Sequence, residues 1–265
     1  MNIALYANSS IPDARAVAAE IYRLLDGKVE LEAETARQFR KKGRKLEDIR
    51  AEILIVVGGD GTMLKSLMRY DGPVLGINAG DVGFLTEVGK GEVKKAVNLL
   101  KKGKYRIEEK LKLKTIVDGA RLEDAVNEAV VTGADPGNVR HFNLKIDGSS
   151  VGLVKSDGII ISTPTGSTSY SLAAGGPIVD PSASVLVLSP IAPYGISSRP
   201  IVAGDTSTIH LSVEGGRRCV LVIDGHVRRF LRGEEKIDFS VSEKKAKFVS
   251  FDRDFYHRIH TKLTG

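Results

Sequence analysis

The feature that most constrains this chain is a buried apolar run that stops at a glycine-rich turn. Residues 53–57 are Ile-Leu-Ile-Val-Val, and such an unbroken run predicts a strand buried on both faces, as in a parallel sheet. The sequence Gly-Gly-Asp-Gly-Thr follows at 58–62, and apolar side chains then recur at helical spacing over 63–68. A strand, a glycine turn and a helix N-terminus in this order predict a phosphate-binding turn, because glycines let backbone N–H groups approach an anion and the helix dipole favours it.

Asp60 lies inside this turn, where its charge would repel a phosphate group. It therefore needs another role, and we expect either a base for an incoming hydroxyl group or a support for a metal ion. The alternative from the local pattern alone is a tight turn in which Asp60 caps the helix. The chain contains neither G-x-x-x-x-G-K-[ST] nor G-x-G-x-x-G, so a Walker site and a Rossmann dinucleotide fingerprint are both excluded.

The length and composition predict a cytoplasmic protein with one large domain or two smaller ones. The chain has 265 residues, of which 42% are hydrophobic and 27% are charged. Its single cysteine, Cys219, excludes an internal disulfide and lies in an apolar run typical of a buried strand. No apolar stretch is as long as a membrane span, and the first residues resemble a strand rather than a signal peptide.

The net charge of +6 and the isoelectric point of about 9.3 suit a polyanionic partner. The basic residues are spread among acidic ones and form no aromatic-basic stripe, so a nucleic-acid partner is not expected. A small polyphosphorylated ligand fits the same charge.

The two parts of the chain differ in their predicted secondary structure. Up to about Lys104, short strands alternate with amphipathic helices, which predicts an α/β N-terminal domain with a parallel, Rossmann-like sheet over residues 1–104. From 105 to 248 short strands dominate, and Asp147-Gly148 and Gly215-Gly216 have the pattern of hairpin turns. This predicts a mostly antiparallel, β-rich C-terminal domain. We expect the tail 249–265, with a final helix over 254–263, to pack back on the first domain.

Three further segments carry polar groups suited to ligand binding. A buried strand feeds a loop crowded with hydroxyl groups over 157–170, which predicts either a polar ligand site or only a Ser/Thr-rich turn. Asn127-Glu128 places beside a strand an amide that can bind adenine and a carboxylate that can bind ribose, although a surface dipeptide is the default. The sequence Asp224-Gly225-His226 predicts a turn.

The histidines suit neither a serine hydrolase nor a zinc site. No histidine has a compelling place beside Ser167, which disfavours a serine hydrolase. His257 and His260 are three residues apart, but they lack a clear third ligand for zinc.

Together these segments resemble the NAD kinase family over residues 50–226. The motifs occur in that family's order and spacing: Gly58-Gly59-Asp60-Gly61-Thr62, Asn127-Glu128, the segment 157–170 and Gly175-Gly176-Pro177. The first motif is shared with diacylglycerol, sphingosine and phosphofructokinase-type kinases. The Thr-Pro-Thr-Gly-Ser-Thr-Ser-Tyr sequence at 163–170 is what singles out NAD kinases.

The resemblance implies a phosphotransferase that makes NADP by moving a phosphoryl group from ATP, or from inorganic polyphosphate, to the adenosine 2′-hydroxyl of NAD. Mg²⁺ or another divalent cation would be carried by the donor, with no metal site of the protein itself. The implied assembly is a homodimer or homotetramer, with no membrane partner. A lipid kinase of the diacylglycerol or sphingosine type, and a dinucleotide sensor without catalysis, are the alternatives. The hydroxyl loop argues against the first, and the Asp60 carboxylate argues against the second.

The resemblance also implies roles for individual residues. Asp60 would be the catalytic base, and the phosphate-donor loop would be formed by Gly58, Gly59, Gly61 and Thr62. The implied NAD-binding residues are Gly61, Phe84, Asn127, Glu128, Lys155, Asp157, Thr168, Ser169, Tyr170, Ala173 and His226. Within this set, Asn127, Thr168 and Tyr170 would contact adenine, and Glu128 would contact a ribose. Lys155 and Asp157 would hold the nicotinamide half, Asp157 by analogy across a subunit interface.

The chain departs from the family pattern at several of these positions. Lys155 stands where the family often has arginine, so a point charge replaces a bidentate fork. Asp81-Val82 replaces a common His-Leu pair before Gly83 and Phe84. Ala173 replaces a serine, and Ser169 replaces a common alanine. These changes affect single binding contacts and leave the implied class of enzyme unchanged.

Overall fold

The computed structural model describes residues 1–80, 83–135, 137–195 and 199–251, together with 255, 256 and 259. The chain divides into two compact units, one formed by Met1–Glu109 with the chain from Ala246, the other by Lys110–Lys245. The predicted final helix over 254–263 falls largely outside the described residues, as do His257 and His260. Within the described residues, none of the helices combines the length and the apolar character needed to cross a membrane.

The first unit contains the predicted parallel sheet with helices. Its elements are β1 (Ile3–Ala7), α1 (Ala14–Leu24), β2 (Glu30–Leu31), α2 (Ala33–Gln38), β3 (Ile53–Gly58), α3 (Asp60–Arg69), β4 (Val74–Asn78), β5 (Val88–Gly89) and α4 (Val93–Lys101). The strands run parallel in the order β2-β1-β3-β4, and β5 lies beside the end of β4. Every residue of β1, β3 and β4 is buried, as expected for parallel strands covered on both faces.

The rest of the chain is mostly antiparallel, with a parallel pair between the end of the strand Ile237–Ser250 and β4, which confirms the predicted fold class. Its elements are β6 (Arg106–Val117), β7 (Ala120–Arg121), β8 (Glu128–Gly133), β9 (Arg140–Ile146), β10 (Ser149–Ser156), β11 (Gly158–Ser162), α5 (Tyr170–Ala173), β12 (Val185–Ile191), β13 (Ile201–Gly204), β14 (Ile209–Val213), β15 (Cys219–Ile223), β16 (Val227–Leu231) and β17 (Ile237–Ser250). In the second unit, one sheet has the order β13-β12-β11-β8-β15-β16, and β10, β9, β14 and the start of β17 pair in a second one.

The two predicted hairpin turns have different outcomes. Asp147 and Gly148 have φ of 51° and 79° and join the paired strands β9 and β10, as predicted. Gly215 and Gly216 also have positive φ, but they join β14 to β15, which lie in different sheets. The hairpin prediction is therefore wrong there, because a turn sequence fixes only the local backbone, whereas β15 finds its partners in β8 and β16.

Candidate active site

The Asp60 carboxylate is held by the backbone of a neighbouring loop in the first unit. Asp60 is the first residue of α3, and Gly59, not Asp60, occupies the N-cap position of that helix. Instead, Oδ2 accepts the Phe84 N–H at 2.7 Å and Oδ1 accepts the Leu85 N–H at 3.0 Å. Of the roles considered from the sequence, the helix cap is therefore wrong. The sequence also predicted Phe84 only as a neighbour of the dinucleotide, and its N–H donor to Asp60 was missed.

The glycine turn before α3 is packed on one side and open on another. A Cβ at Gly58 would stand 2.5 Å from Thr62 Oγ1, so this position requires glycine. The Thr62 hydroxyl is buried and accepts a hydrogen bond from Asn8 Nδ2 at 2.9 Å. A Cβ at Gly59, in contrast, would meet no atom within 4 Å. The backbone at Gly59 is thus open to a ligand at the N-terminus of α3, where the helix dipole favours anions.

We expect Gly83→Ala to lower turnover by at least about tenfold, since misplacing a reacting group costs rate steeply. A Cβ at Gly83 would overlap the Asp60 carboxylate, whereas a Cβ at Gly80, in the same stretch, would meet no atom within 4 Å. Gly80→Ala is therefore the matched control and should retain turnover within about twofold. Steady-state kinetics on both variants test this, and equal activities would show that Gly83 does not govern the position of Asp60.

In the second unit, the hydroxyl-rich segment wraps around Asn127 and Glu128. Thr163 donates its hydroxyl to the Val126 carbonyl at 2.6 Å and its N–H to the Asn127 carbonyl at 2.9 Å. A Cβ at Gly166 would overlap the Asn127 backbone, so only glycine allows this close approach. The Ser169 hydroxyl and the Tyr170 backbone amide face the Glu128 carboxylate. The structure therefore brings together two segments that the sequence analysis singled out separately.

Asp224 is the residue whose importance the sequence analysis missed. It opens the turn between β15 and β16 with φ of 47°, and its side chain is buried, with the residue only 4% exposed. Its Oδ2 accepts the Val126 N–H at 2.7 Å, while Oδ1 accepts the N–H groups of Asn127 at 2.8 Å and Glu128 at 3.1 Å. Asp-Gly is usually a solvated turn, and nothing in the local sequence marks this carboxylate as the anchor of the Asn127-Glu128 segment.

Glu128 and Asp224 form a buried pair of carboxylates. Burial, together with the Asp224 charge, raises the pKa of Glu128 from 4.5 to about 7, although Ser169 and Tyr170 act in the opposite direction. Burial also raises the pKa of Asp224, against the effect of its three N–H donors. The raised pKa favours the protonated form of Glu128, whereas a ligand that donates a hydrogen bond to the carboxylate will favour its ionised form.

Glu128 should make the protein's stability depend on pH. Between about pH 4.5 and 7 the folded chain keeps a proton on Glu128 that the unfolded chain releases, so its contribution to the free energy of unfolding falls as pH rises through this window. Urea unfolding at pH 5, 6, 7 and 8 checks this. Glu128→Gln should flatten the decline, and an unchanged slope in that variant would contradict the assignment.

The other residues predicted to bind the adenosine half, together with Ala173 and His226, are more exposed than Asn127 and Glu128. Thr168 is half-buried and donates its hydroxyl to the Thr165 carbonyl at 3.4 Å, and Tyr170 is 45% exposed. Ala173 is exposed at the end of α5. His226 is exposed in the turn that Asp224 opens, with its N–H donated to the Ile223 carbonyl at 2.9 Å. All four residues are therefore at least partly accessible to solvent.

Lys155 and Asp157 are not brought together with Glu128. Ser162, at one end of β11, lies opposite Glu128, whereas Gly158, at the other end, lies opposite Thr132. At about 3.4 Å per residue, this separates Asp157 from Glu128 by at least about 13 Å along the sheet. Both Lys155 and Asp157 are exposed. In one copy of the chain they therefore form a separate polar region at the far end of β11.

Sequence comparison places the whole chain among known proteins. The ATP-NAD kinase N-terminal domain family matches residues 9–105, and the ATP-NAD kinase C-terminal domain family matches residues 126–251. The NAD kinase of Thermoplasma acidophilum is 40% identical over 266 residues, covering 99% of this chain and 98% of that protein. The NAD kinase of Thermococcus kodakarensis is 42% identical over 222 residues, covering 82% and 80%.

Two solved structures share the fold. An NAD kinase from Archaeoglobus fulgidus in complex with ATP has a TM-score of 0.77 and 26% identity, covering 100% of this chain and 98% of that one. Yeast NADH kinase complexed with NADH has a TM-score of 0.91 at 22% identity, covering 100% and 87%, and this likeness concerns the fold alone. With both domain families matched and relatives aligned over nearly the full length, the chain belongs to the NAD kinase family and is a phosphotransferase that phosphorylates NAD.

Proposed function

We propose that the chain transfers the terminal phosphoryl group of ATP to the adenosine 2′-hydroxyl of NAD, with Asp60 as the base that accepts the hydroxyl proton. The observation that carries the proposal is the Asp60 carboxylate, held by two backbone N–H groups beside an open glycine turn at a helix N-terminus. Binding of phosphate alone would not favour a negative charge there. A base for a poor nucleophile explains it.

The geometry of Asp60 suits a base. Among the described residues, each carboxylate oxygen accepts one backbone N–H, at 2.7 and 3.0 Å, and a carboxylate oxygen has a second lone-pair direction. The side chain is therefore fixed in orientation while it can still accept a proton. Phosphoryl transfer asks a protein mainly for positioning and charge stabilisation, and a carboxylate held by backbone donors supplies positioning.

We propose that the Asn127-Glu128 segment binds the adenosine half of NAD. Among the described residues, three side-chain oxygens here are buried without a hydrogen-bond partner: Asn127 Oδ1, Glu128 Oε2 and Thr165 Oγ1. The adenine amino group and the ribose hydroxyls are donors that match such acceptors, and a buried acceptor left unpaired costs about 1–3 kcal/mol. Thr165 is an addition to the residues predicted from the sequence.

Mg²⁺ belongs to the proposal as a companion of the donor phosphates. In the part of the chain that the structure describes, no group of three or more His, Cys, Asp or Glu side chains is arranged to hold a metal ion. We propose that the cation reaches the site on ATP, as the resemblance to NAD kinases implies. When bound, the cation offsets the repulsion between the phosphates and Asp60.

We further propose that Lys155 and Asp157 act on the nicotinamide half of NAD bound to a neighbouring copy, in a homodimer or homotetramer. Their exposure and their distance from Glu128 along β11 support a role outside their own copy's adenosine site. A cytoplasmic location is part of the same proposal and is supported by the single buried cysteine, which needs no oxidising compartment.

A labelling experiment separates the candidate substrates and donors. The purified chain is incubated with Mg²⁺, γ-labelled ATP and either NAD, sphingosine or diacylglycerol, and in parallel with NAD and labelled polyphosphate. We expect label in NADP from ATP and none in either lipid. Label in a lipid, or none in NADP from any donor, would overturn the proposal. The polyphosphate arm shows whether a second donor is accepted.

A further inference from the structure

The parallel sheet of the first unit contains a junction at which two strands share one edge of β4. Phe248, near the end of β17, lies opposite Val74, while Val88 in β5 lies opposite Ile77. Between these two pairs, the Glu87 N–H bonds to the Gly76 carbonyl at 2.9 Å. One strand therefore ends beside β4 where the next begins, and Glu87 is the residue at the break.

The Glu87 side chain closes this junction. The residue is 5% exposed, and its Oε1 accepts the Phe251 N–H at 2.8 Å and lies 3.4 Å from the Ser250 hydroxyl. Ser250 is the last residue of β17 and is 2% exposed. A buried backbone N–H that leaves a strand needs an acceptor, and Glu87 provides one from the neighbouring segment.

The same segment holds Asp60. Phe84 and Leu85 donate their N–H groups to the Asp60 carboxylate, and Glu87 follows Leu85 by two residues. At no more than about 3.3 Å per residue, Glu87 lies within about 7 Å of Leu85 and about 10 Å of Phe84 along the chain. The segment from Gly83 to Glu87 is thus fastened at one end to Asp60 and at the other to the end of β17.

We propose that Glu87 is a positioning residue for phosphoryl transfer, which sets the place of the Phe84 and Leu85 N–H groups and, through them, the orientation of Asp60. It does not touch the reacting atoms. Its loss would let the segment shift along the edge of β4, and both donors to Asp60 would move with it. This inference rests on the proposed role of Asp60 as the base.

The test compares two substitutions that keep the size of the side chain. Glu87→Met removes the acceptors, and Glu87→Gln keeps one carbonyl oxygen. We expect Glu87→Met to lower kcat by about tenfold or more with KM for NAD within about twofold, and Glu87→Gln to restore kcat to within about threefold of wild type. Glu32→Ala is the control, because Glu32 is also a buried carboxylate that accepts backbone N–H groups, from Glu34 and Thr35, but at α2.

A double-mutant cycle shows whether Glu87 acts through Asp60. If it does, Glu87→Met should change the residual kcat of Asp60→Asn by less than about twofold, because the base is already absent. The inference would be overturned if the two substitutions lowered kcat by factors that multiply in the double variant, or if Glu87→Met had a normal kcat. Normal turnover of Asp60→Asn alone would instead overturn the proposed base, so the two failures are distinguishable. Amide hydrogen exchange, measured by mass spectrometry on the folded variant, provides a readout that does not depend on activity. We expect faster exchange over residues 83–88 in Glu87→Met than in wild type.

Discussion

Asp60→Asn is expected to lower kcat for NAD phosphorylation by about 10²–10⁴-fold, the usual contribution of a general base. Asparagine keeps the shape of the side chain and an acceptor oxygen for one of the Phe84 and Leu85 N–H groups, while its amide nitrogen faces the other. It cannot take the proton of the ribose hydroxyl. Since the residues proposed to bind the adenosine half lie elsewhere in the chain, the dissociation constant of NAD should stay within about threefold. Steady-state kinetics and calorimetry on the same preparation measure both quantities.

Asp13→Asn is the matched control for this substitution. Asp13 is another aspartate of the first unit beside a helix N-terminus, and its exposed carboxylate pairs with Lys90 at 2.7 Å. An exposed pair of this kind contributes little to stability, so the variant should keep normal turnover. A kcat for Asp60→Asn within about threefold of wild type would remove Asp60 from the mechanism.

Asp224→Ala is expected to lower the free energy of unfolding by about 3 kcal/mol or more, because it leaves three N–H groups in a buried segment without their acceptor. Asn127 and Glu128 provide two of these N–H groups, so the affinity for NAD should fall with the stability. Asp224→Asn should be intermediate, since one oxygen remains while the amide nitrogen faces a donor. Urea unfolding and NAD titration measure the two effects.

Asp147→Ala provides an unusually close control. Asp147 also precedes a glycine in a turn, and its φ of 51° is close to the 47° of Asp224. Its exposed carboxylate accepts one N–H, from Thr208 at 2.8 Å. Both alanine variants therefore carry similar backbone strain, and their difference reports how much more the buried carboxylate of Asp224 contributes than the exposed carboxylate of Asp147. Equal losses of stability in the two variants would show that the hydrogen bonds of Asp224 are not what stabilises the segment.

The parallel sheet and the position of Asp60 could be predicted because both depend on local sequence. Five apolar residues before a glycine turn specify a buried strand and its end, and the periodicity after Met63 specifies the helix. Asp60 could be identified as a candidate catalytic residue because it is the charged residue in the turn Gly-Gly-Asp-Gly-Thr. For the same reason, the antiparallel character of the second part followed from its short strands and its lack of long helical periods.

The residues that hold the site in place could not be predicted, because their partners are distant in sequence. The donors to Asp60 are backbone N–H groups 24 and 25 residues away, and backbone groups leave no trace in a sequence pattern. Asp224 acts on Val126, 98 residues earlier, from a turn whose sequence is ordinary. Glu87 likewise looks like one more charged residue until the end of β17 is placed beside it.

Strand pairing also limited the sequence analysis. Gly215 and Gly216 have the backbone conformation of a turn, as predicted. The strand that follows them, β15, pairs with β8 and β16 rather than with β14, and the local sequence does not specify these partners. The separation of Asp157 from Glu128 depends on the register of β11 against β8, which no local signal specifies.

The most direct measurement of the central claim is NADP formation by the purified chain from NAD, ATP and Mg²⁺, with the phosphate position read by ³¹P NMR and NAD binding measured alongside. The account predicts multiple turnovers to a single product phosphorylated at the adenosine 2′-hydroxyl. Tight binding of NAD with no NADP formed would contradict it and would indicate a dinucleotide sensor that keeps the fold of a kinase.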